Sequence, residues 1–459
     1  MKFSFGELCD ATGGKPVGTP PGTPMRIVTD TRQLEPGDAF LALRGDKYDG
    51  ADFAGDAYAK GAALAIVARP DVVGSNGHAG LIVDDTLRAY MQLGAASRAH
   101  SRAIVIAITG STGKTTTKTL LAQLLAQSGK KIAATPQNEN NEVGVSKLLV
   151  ALEGDEDIVV VEMGCRHDGE IAELVQIAQP HLGILTNIGE AHLEIFKTRD
   201  RLAETKWGLF SGGAVAILNV ADEESVRRAP SLSLSPGWFG AGEAAAGDDV
   251  PLPATLIPSR NEIVFADGAG REVFPLQTTL PGEHNLSNLA AAATAARATE
   301  MTPSAIVAAI PSLVLPPGRY ERVALDGGKQ LVYDAYNASM SGTLATLRTF
   351  AVEPATRRIA VLGGMAELGD DAPQMHERVG GAAAELRMDV VLVGGEHADD
   401  MIRGAVQAGL SPLAIVPYDD NAAAIAWLRA NLREGDAVLL KGSRRYKMEE
   451  ILTGVKARR

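Results

Sequence analysis

The sequence predicts an α/β protein of three domains, with a doubly wound central sheet and a second, Rossmann-like sheet near the C-terminus. Three observations predict it. A chain of 459 residues holds about three domains at roughly 150 residues each. From Ala103 onward, apolar runs of buried-strand type alternate with helical segments, the pattern of a mostly parallel sheet covered on both faces. The stretch AIVIAITGSTGKTTTKTL, Ala103 to Leu120, joins one such strand to one such helix through a glycine-bearing turn.

That turn lies at the carboxyl end of a strand, where sheets of this kind bind ligands. Gly110 and Gly113 let the backbone aim its N–H groups inward around Ser111 and Thr112, and the following helix N-terminus adds partial positive charge behind them. Lys114 is placed to reach the β- and γ-phosphates of a nucleotide, and the Thr115 hydroxyl, followed by Thr116, suits Mg²⁺. The string GSTGKT is a P-loop shorter between its glycines than the common GxxxxGK[ST] form.

Composition bounds the rest. A net charge of −12 argues against nucleic acid or an anionic membrane as partner, so positive charge at a site must be built locally. Only Cys9 and Cys165 are present, which suggests no disulfide framework and a reducing compartment. No apolar run has membrane-spanning length and the N-terminus does not read as a signal peptide, so a cytoplasmic location without membrane insertion is expected.

Along the chain, MRIVTDTR, DAFLALRG and LAIVA read as short N-terminal strands. Between them Thr31 and Arg32 stand on a loop before the Pro36-Gly37 turn; a guanidinium there either grips an anion or is an ordinary surface arginine. In the centre, DIVVVEM, HLGILTNI and GAVAILNV read as parallel strands. Glu162 ends the first of these beside the phosphate loop, where a carboxylate can hold Mg²⁺, and His192 follows the second within reach of another metal. Asn138, Asn140 and Asn141 crowd one loop that either lines a polar substrate or forms turns. Lys206 sits in a helical segment and by itself reads as a surface lysine. Residues 221–259, rich in Ala, Gly, Ser and Pro, are expected to form surface strands and loops, and SRNEIVFADGAGREVFPL a hairpin. Asn285 and Asn288 precede or open an Ala-rich helix, where Asn285 is also a plausible cap. Pro316-Pro317-Gly318 is linker chemistry, and QLVYDAYN, RRIAVLGG, MDVVLVGG, LAIVPY and AVLLKG beyond it form the strands of the last sheet, which has no phosphate loop of its own.

Taken together, TGSTGKTT, NENNEVGV, VVVEMG, TNIGEAHLE with a helical lysine downstream, PGEHNLSN, PGRYE and DAYNAS resemble the Mur ligase family over nearly the whole chain. VLGGMAELGDDAPQMHERVG and LLKGSRRYKMEEIL resemble its D-alanyl-D-alanine-adding branch. The resemblance implies domains at 1–101 (UDP-muramoyl peptide), 102–317 (ATP) and 318–459 (incoming amine and closure). It implies ATP and two Mg²⁺ as cofactors, with UDP-N-acetylmuramoyl-tripeptide and D-alanyl-D-alanine as substrates of a monomer. Amide ligation would proceed through an acyl phosphate.

By the same resemblance Lys206 is carbamylated and joins Thr115, Glu162 and His192 around the metals. Asn285, Asn288 and Asp334 border the nucleotide, Arg319 reaches a phosphate from the far side of the cleft, and Lys114, Glu162, His192, Lys206 and Arg319 form the catalytic set. Thr31, Arg32, Asn138, Asn140, Asn141, Tyr336 and Asn337 fall to the substrates. Two departures touch the acceptor region: the branch usually reads YNANP where this chain has Tyr336-Asn337-Ala338-Ser339-Met340, and VLGDM where it has Gly363-Gly364-Met365. A Mur-type ligase with another amine acceptor is one alternative they leave open. A P-loop NTPase switch is another, though its strand ends would not need to supply a small-molecule cleft.

Overall fold

Three β-sheets follow one another along the chain, one for each region where apolar β-type runs recur. The computed structural model describes residues 1–459 except 46, 75–77, 191–192, 247–249 and 458–459. The first sheet holds β1 (Lys15–Val17), β2 (Ile27–Val28), β3 (Ala39–Leu41), β4 (Leu64–Val67) and β5 (Gly80–Ile82) in the order β1-β5-β4-β3-β2. It is parallel except for the edge pair β1–β5. The helix Thr86–His100 then leads into the central sheet. It packs closely on the helix Glu142–Ala151 at Gly94, where a Cβ would lie only 3.2 Å from Ser146 Cα.

The central sheet has nine strands: β6 (Ile104–Thr109), β7 (Ile132–Ala134), β8 (Ile158–Glu162), β9 (Leu182–Leu185), β10 (Val215–Asn219), β11 (Gly237–Ala241), β12 (Ala254–Ser259), β13 (Glu262–Asp267) and β14 (Gly270–Pro275). Their order is β14-β13-β12-β11-β10-β9-β6-β8-β7, parallel from β7 to β12 and antiparallel beyond. The chain moves from β6 to β8 on one side and reaches β9 on the other, so the strand order reverses beside β6. That reversal opens a crevice at the carboxyl ends. Leu120, Leu121, Leu124 and Leu125 of the helix Lys114–Ala126 are fully buried against one face, and the alanines of the helix Glu283–Ala298 pack into the same cluster.

Residues 221–259 depart from expectation. Rather than lying on the surface, they supply β11 and β12, whose Trp238, Phe239, Leu256 and Ile257 are buried between β10 and the β13–β14 hairpin. The strands are short and flanked by Gly, Ala and Pro, so local composition reads as loop while burial on both faces makes them core.

The last sheet runs β15-β16-β20-β17-β18-β19, with β15 (Glu321–Ala324), β16 (Gln330–Tyr333), β17 (Arg357–Leu362), β18 (Val390–Val393), β19 (Ile415–Pro417) and β20 (Asp436–Lys441). All pairs are parallel except β15–β16. On one face the helices Ala372–Glu385 and Ala398–Gln407 cross at glycines: a Cβ on Gly380 would lie 1.9 Å from the Met401 carbonyl oxygen, and one on Gly404 1.8 Å from that of Glu377. Backbone cannot yield as a side chain does. Gly404→Ala is therefore expected to destabilise the C-terminal domain by about 3 kcal/mol. Gly409→Ala, where a positive φ of 93° meets open space, should cost only ~1 kcal/mol. Urea midpoints of the two full-length variants check the ranking; equal midpoints would contradict it.

Candidate active site

The crevice beside β6 and the facing edge of the last sheet enclose a cavity of about 940 Å³. The phosphate loop forms one wall. Gly110 has φ 148°, and a Cβ there would sit 1.9 Å from Thr186 Oγ1. Gly113, at φ 82°, caps the helix that Lys114 opens, and a Cβ on it would meet Asn288 Oδ1 at 2.3 Å. Only glycine fits either place. Asn187, just past β9, fixes the turn: its carbonyl accepts from Ser111 N at 2.9 Å and its Oδ1 accepts from Thr112 N at 3.1 Å. The N–H groups of the first helical turn have no partner inside the helix, and they gather at the cavity beside Lys114, Thr115 and Thr116.

Positive charge is concentrated here. Lys114 Nζ donates to the Gly110 carbonyl at 2.7 Å, and Lys206 Nζ donates to the same oxygen at 3.2 Å. Lys206 belongs to the helix Arg199–Trp207, yet its side chain is only 1% exposed, with Cys165 Sγ at 3.5 Å as its other contact. It makes no ion pair among the described residues. Burial of the Lys114 ammonium, reinforced by the charge on Lys206, brings Lys114 down to about 8.

Glu162, at the end of β8, is the acidic counterweight. Its Oε1 accepts from Thr115 Oγ1 at 3.1 Å and from Asn140 Nδ2 at 2.9 Å, while Oε2 lies 3.0 Å from Lys118 Nζ as an ion pair. A separation of 3.1 Å between Thr115 Oγ1 and Glu162 Oε1 is close to the edge of an oxygen octahedron with bonds of about 2.1 Å, so the pair fits Mg²⁺. Glu190 Oε2, also in the cavity wall, is buried with no hydrogen bond among the described residues, as a group awaiting a cation would be. His192 lies outside the described residues.

The opposite wall comes from the last sheet and its loops. Asp334, just past β16, is buried; it accepts from Tyr320 N at 3.1 Å and pairs with Lys441 Nζ at 3.2 Å. Burial alone would raise its carboxyl, but Lys441 and the Thr346 hydroxyl hold it below the usual range. Lys441 also donates to the Asn337 carbonyl at 2.8 Å. Arg319 and Tyr336 face each other, with the guanidinium carbon 4.5 Å from the ring centroid. From the central domain, Asn285 Nδ2 donates to the Pro281 carbonyl at 2.8 Å rather than capping its helix, and Asn288 accepts from Thr117 Oγ1 at 3.3 Å. Burial lowers the His284 imidazole beside them below its ordinary range.

Of the residues singled out in the sequence, Lys114, Thr115, Glu162, Asn138, Asn140, Asn141, Asn285, Asn288, Arg319, Asp334, Tyr336 and Asn337 converge on this one cavity. Lys206 reaches the back of the phosphate loop. Asn141 also caps the helix Glu142–Ala151 by accepting from Gly144 N at 3.1 Å. Thr31 and Arg32 do not join them: they follow β2 in the first sheet, and Arg32 is exposed and bound to Asp30 at 2.7 Å. Those hydrogen bonds hold the Asp30 carboxyl down at about 2.

Sequence reasoning missed Lys118, Asn187, Glu190 and Lys441. Lys118 stands one helical turn after Lys114, and Asn187 and Lys441 stand at or just past strand ends, so spacing alone pointed at them. The two acceptor-region departures have physical counterparts. A Cβ on Gly364 would lie 2.4 Å from the Tyr446 hydroxyl, so this tyrosine occupies the space an aspartate would need. Ser339 caps the helix Met340–Ala351 through Gly342 N, and Met340 packs into the apolar core of the domain.

Comparison with known proteins places this geometry. Residues 108–296 match the Mur ligase middle domain, 318–444 the Mur ligase glutamate ligase domain, and 26–97 the Mur ligase family catalytic domain. A UDP-N-acetylmuramoyl-tripeptide–D-alanyl-D-alanine ligase of Synechocystis sp. is 34% identical over 91% of this chain and 88% of its own. A crystal structure of MurF from Acinetobacter baumannii superposes with a TM-score of 0.87 at 29% identity, covering 99% of both chains. MurF ligase from Thermotoga maritima in complex with ADP gives 0.79 at 28% identity, covering 94% of this chain and 97% of that one.

The depressed Lys114 has a measurable consequence. Because its folded value lies below the unfolded one, the unfolded chain binds more protons between about pH 8 and 10.5, and this group adds stability as pH rises through that window. A nucleoside triphosphate at the loop reverses the shift, so at pH 8 its binding should take up roughly half a proton. Calorimetric heats in two buffers of different ionisation enthalpy should differ accordingly for the native protein and converge in Lys114→Met. Identical heats for the native protein would refute the shift.

Proposed function

The chain belongs to the Mur ligase family, and from that premise we propose that it is an ATP-dependent amide ligase joining D-alanyl-D-alanine to UDP-N-acetylmuramoyl-tripeptide in peptidoglycan precursor synthesis. The observation that carries the proposal is the single cavity that holds a phosphate loop on one wall and Arg319, Asp334 and Lys441 on the other. A ligase needs its nucleotide and two further substrates in one enclosure, whereas a P-loop switch needs a surface that changes shape for a partner. Domains at 1–101, 102–317 and 318–459, a monomer and a cytoplasmic location complete the proposal. No helix among the described residues is long and apolar enough to cross a membrane.

A carboxylate is a poor electrophile, so the tripeptide must be activated. One carboxylate oxygen attacks the γ-phosphorus of ATP, the bond to the β–γ bridging oxygen breaks, and ADP leaves an acyl phosphate. The dipeptide's neutral amine then adds to the acyl carbon. Its proton is lost to solvent and phosphate departs as the amide forms.

The first step presses anions together. At 4 Å each unit pair repels by about 4 kcal/mol at an effective dielectric of 20. Lys114, the helix N-terminus behind the loop and Arg319 offset that repulsion, chiefly because they are held in place before charge develops. Mg²⁺, held by Thr115 and Glu162, would neutralise phosphate charge. Asn285 and Asn288 border the nucleotide, as does Asp334. The Asn138–Asn141 loop and Tyr336–Asn337 border the two ligated substrates, while Thr31 and Arg32 serve the distant uridine end.

Lys206 is assigned a carbamate in this scheme. A buried ammonium without an acidic partner is costly; conversion to a carbamate reverses its charge and would give the second metal, shared with His192, an oxygen ligand. With ¹³C-bicarbonate, a carbamate resonance is expected in the native protein and should vanish in Lys206→Arg. Its absence from the native spectrum would remove the assignment.

The function itself is tested by phosphate release against a small matrix of UDP-muramoyl peptides and amines. Turnover should require both UDP-muramoyl-tripeptide and D-alanyl-D-alanine, and Lys114→Ala should lower it by at least ~100-fold while the protein stays folded. Ready use of a different amine, with D-alanyl-D-alanine inert, would move the assignment to another branch.

A further inference from the structure

The wall of the cavity formed by the last sheet carries a guanidinium to which nothing above gives work. Arg444 follows β20 in the short turn Arg444–Tyr446 and lines the cavity with Ser443. Its neighbour Arg445 is paired with Glu396 at 3.4 Å, but Arg444 makes no ion pair among the described residues. Its guanidinium carbon lies 5.4 Å from the ring centroid of Tyr336, the ring that Arg319 approaches at 4.5 Å. One aromatic side chain thus has two cations against it. The buried Tyr336 hydroxyl interacts with the Arg444 guanidinium, so ring and hydroxyl together orient that group while its other N–H donors remain available to an anion.

We propose that Arg444 is the anchor for the C-terminal carboxylate of the incoming dipeptide, and that Tyr336 orients it. The proposal rests on the ligase reading and adds the subsite that reads the acceptor. Distances favour it. Ring separations of 4.5 and 5.4 Å put the two guanidinium carbons no more than roughly 10 Å apart, and a dipeptide spans about 7 Å from amine to carboxylate. An acceptor whose carboxylate is held by Arg444 can therefore extend its amine toward Arg319, near where the acyl phosphate forms. A planar guanidinium binds a carboxylate through two parallel N–H···O bonds, so it fixes direction as well as position. Tyr446, two residues after Arg444, occupies the space beside Gly364.

The test compares D-alanyl-D-alanine with its C-terminal amide, which keeps the nucleophilic amine and lacks the charge. Phosphate release is measured with saturating ATP, Mg²⁺ and UDP-muramoyl-tripeptide. The native protein should prefer the acid over the amide by roughly 10- to 100-fold in kcat/KM, mostly through KM. Arg444→Ala should lose that preference, using both acceptors equally and poorly, while its KM for ATP stays native and so reports an intact fold. Arg444→Lys should recover part of the preference. A folded Arg444→Ala protein that still discriminates acid from amide overturns the subsite alone, as does loss of discrimination in Arg445→Ala instead. A native protein that ligates neither acceptor overturns the ligase reading, and the subsite falls with it.

Discussion

Two lysine ammonium groups share one carbonyl oxygen, that of Gly110, and much of the site follows from that crowding. In a buried setting the arrangement is unfavourable unless anions complete it. Lys114 answers by losing proton affinity. Lys206, sealed behind the loop, has neither exposure nor an acidic partner among the described residues. With Lys206 as a free ammonium the site stores electrostatic strain, which carbamylation of Lys206 and a bound polyphosphate would each relieve. Lys118 is the contrast: one turn along the same helix, it has Glu162 as counter-ion.

Geometry keeps the crowding in place. Gly110 and Gly113 are pressed by Thr186 and Asn288, residues from elements far away in sequence, so the loop is clamped between β9 and the helix Glu283–Ala298. Asn187 adds two backbone hydrogen bonds. A loop held this tightly does not reorganise when charge moves, which is the condition for fixed dipoles to stabilise a transition state. The facing wall is built the same way around Asp334, whose carboxylate is committed to Tyr320 N, Thr346 and Lys441. Asp334 holds that wall's chain entry and its lysine together as well as bordering the cavity.

Much of this was legible in the sequence because strand ends in a parallel sheet are functional positions for topological reasons. Thr109, Glu162 and Asp334 each stand at the end of an apolar run, and structure brings the residues around them into one crevice. Periodicity failed at β11 and β12, where the buried strands are short and surrounded by turn-forming residues; their burial comes from neighbours in the sheet, which no local window contains. Pairing was equally hidden. Glu162 reads as a free strand-end carboxylate, yet it is met by Lys118 through helical spacing and by Asn140 across a loop. Arg444 and Tyr336 are separated by most of a domain in sequence, and only the pairing of β16 with β20 puts their loops side by side.

The charge balance of the whole chain then takes on a definite meaning. A protein of net charge −12 must admit ATP, a nucleotide sugar and a peptide carboxylate, all anions. At physiological ionic strength, exposed charges more than about 8 Å apart are largely screened, so the acidic exterior matters little once a ligand reaches the cavity mouth. Inside, Lys114, Arg166, Arg319, Lys441, Arg444 and Arg445 face an equal number of acids, Glu162, Glu170, Glu190, Glu194, Asp334 and Glu367, so the pairing of each charge matters more than the count. The cations without carboxylate partners among the described residues are Lys114 at the phosphate loop and Arg319 and Arg444 near the Tyr336 ring. They sit where transferring phosphate, acyl donor and acceptor carboxylate would each bring negative charge. The desolvated ammonium of Lys114 is costly without an anion, whereas Arg319 and Arg444 lie nearer solvent and can meet one as it enters, so the set is best understood as complementarity to three anionic ligands held at once.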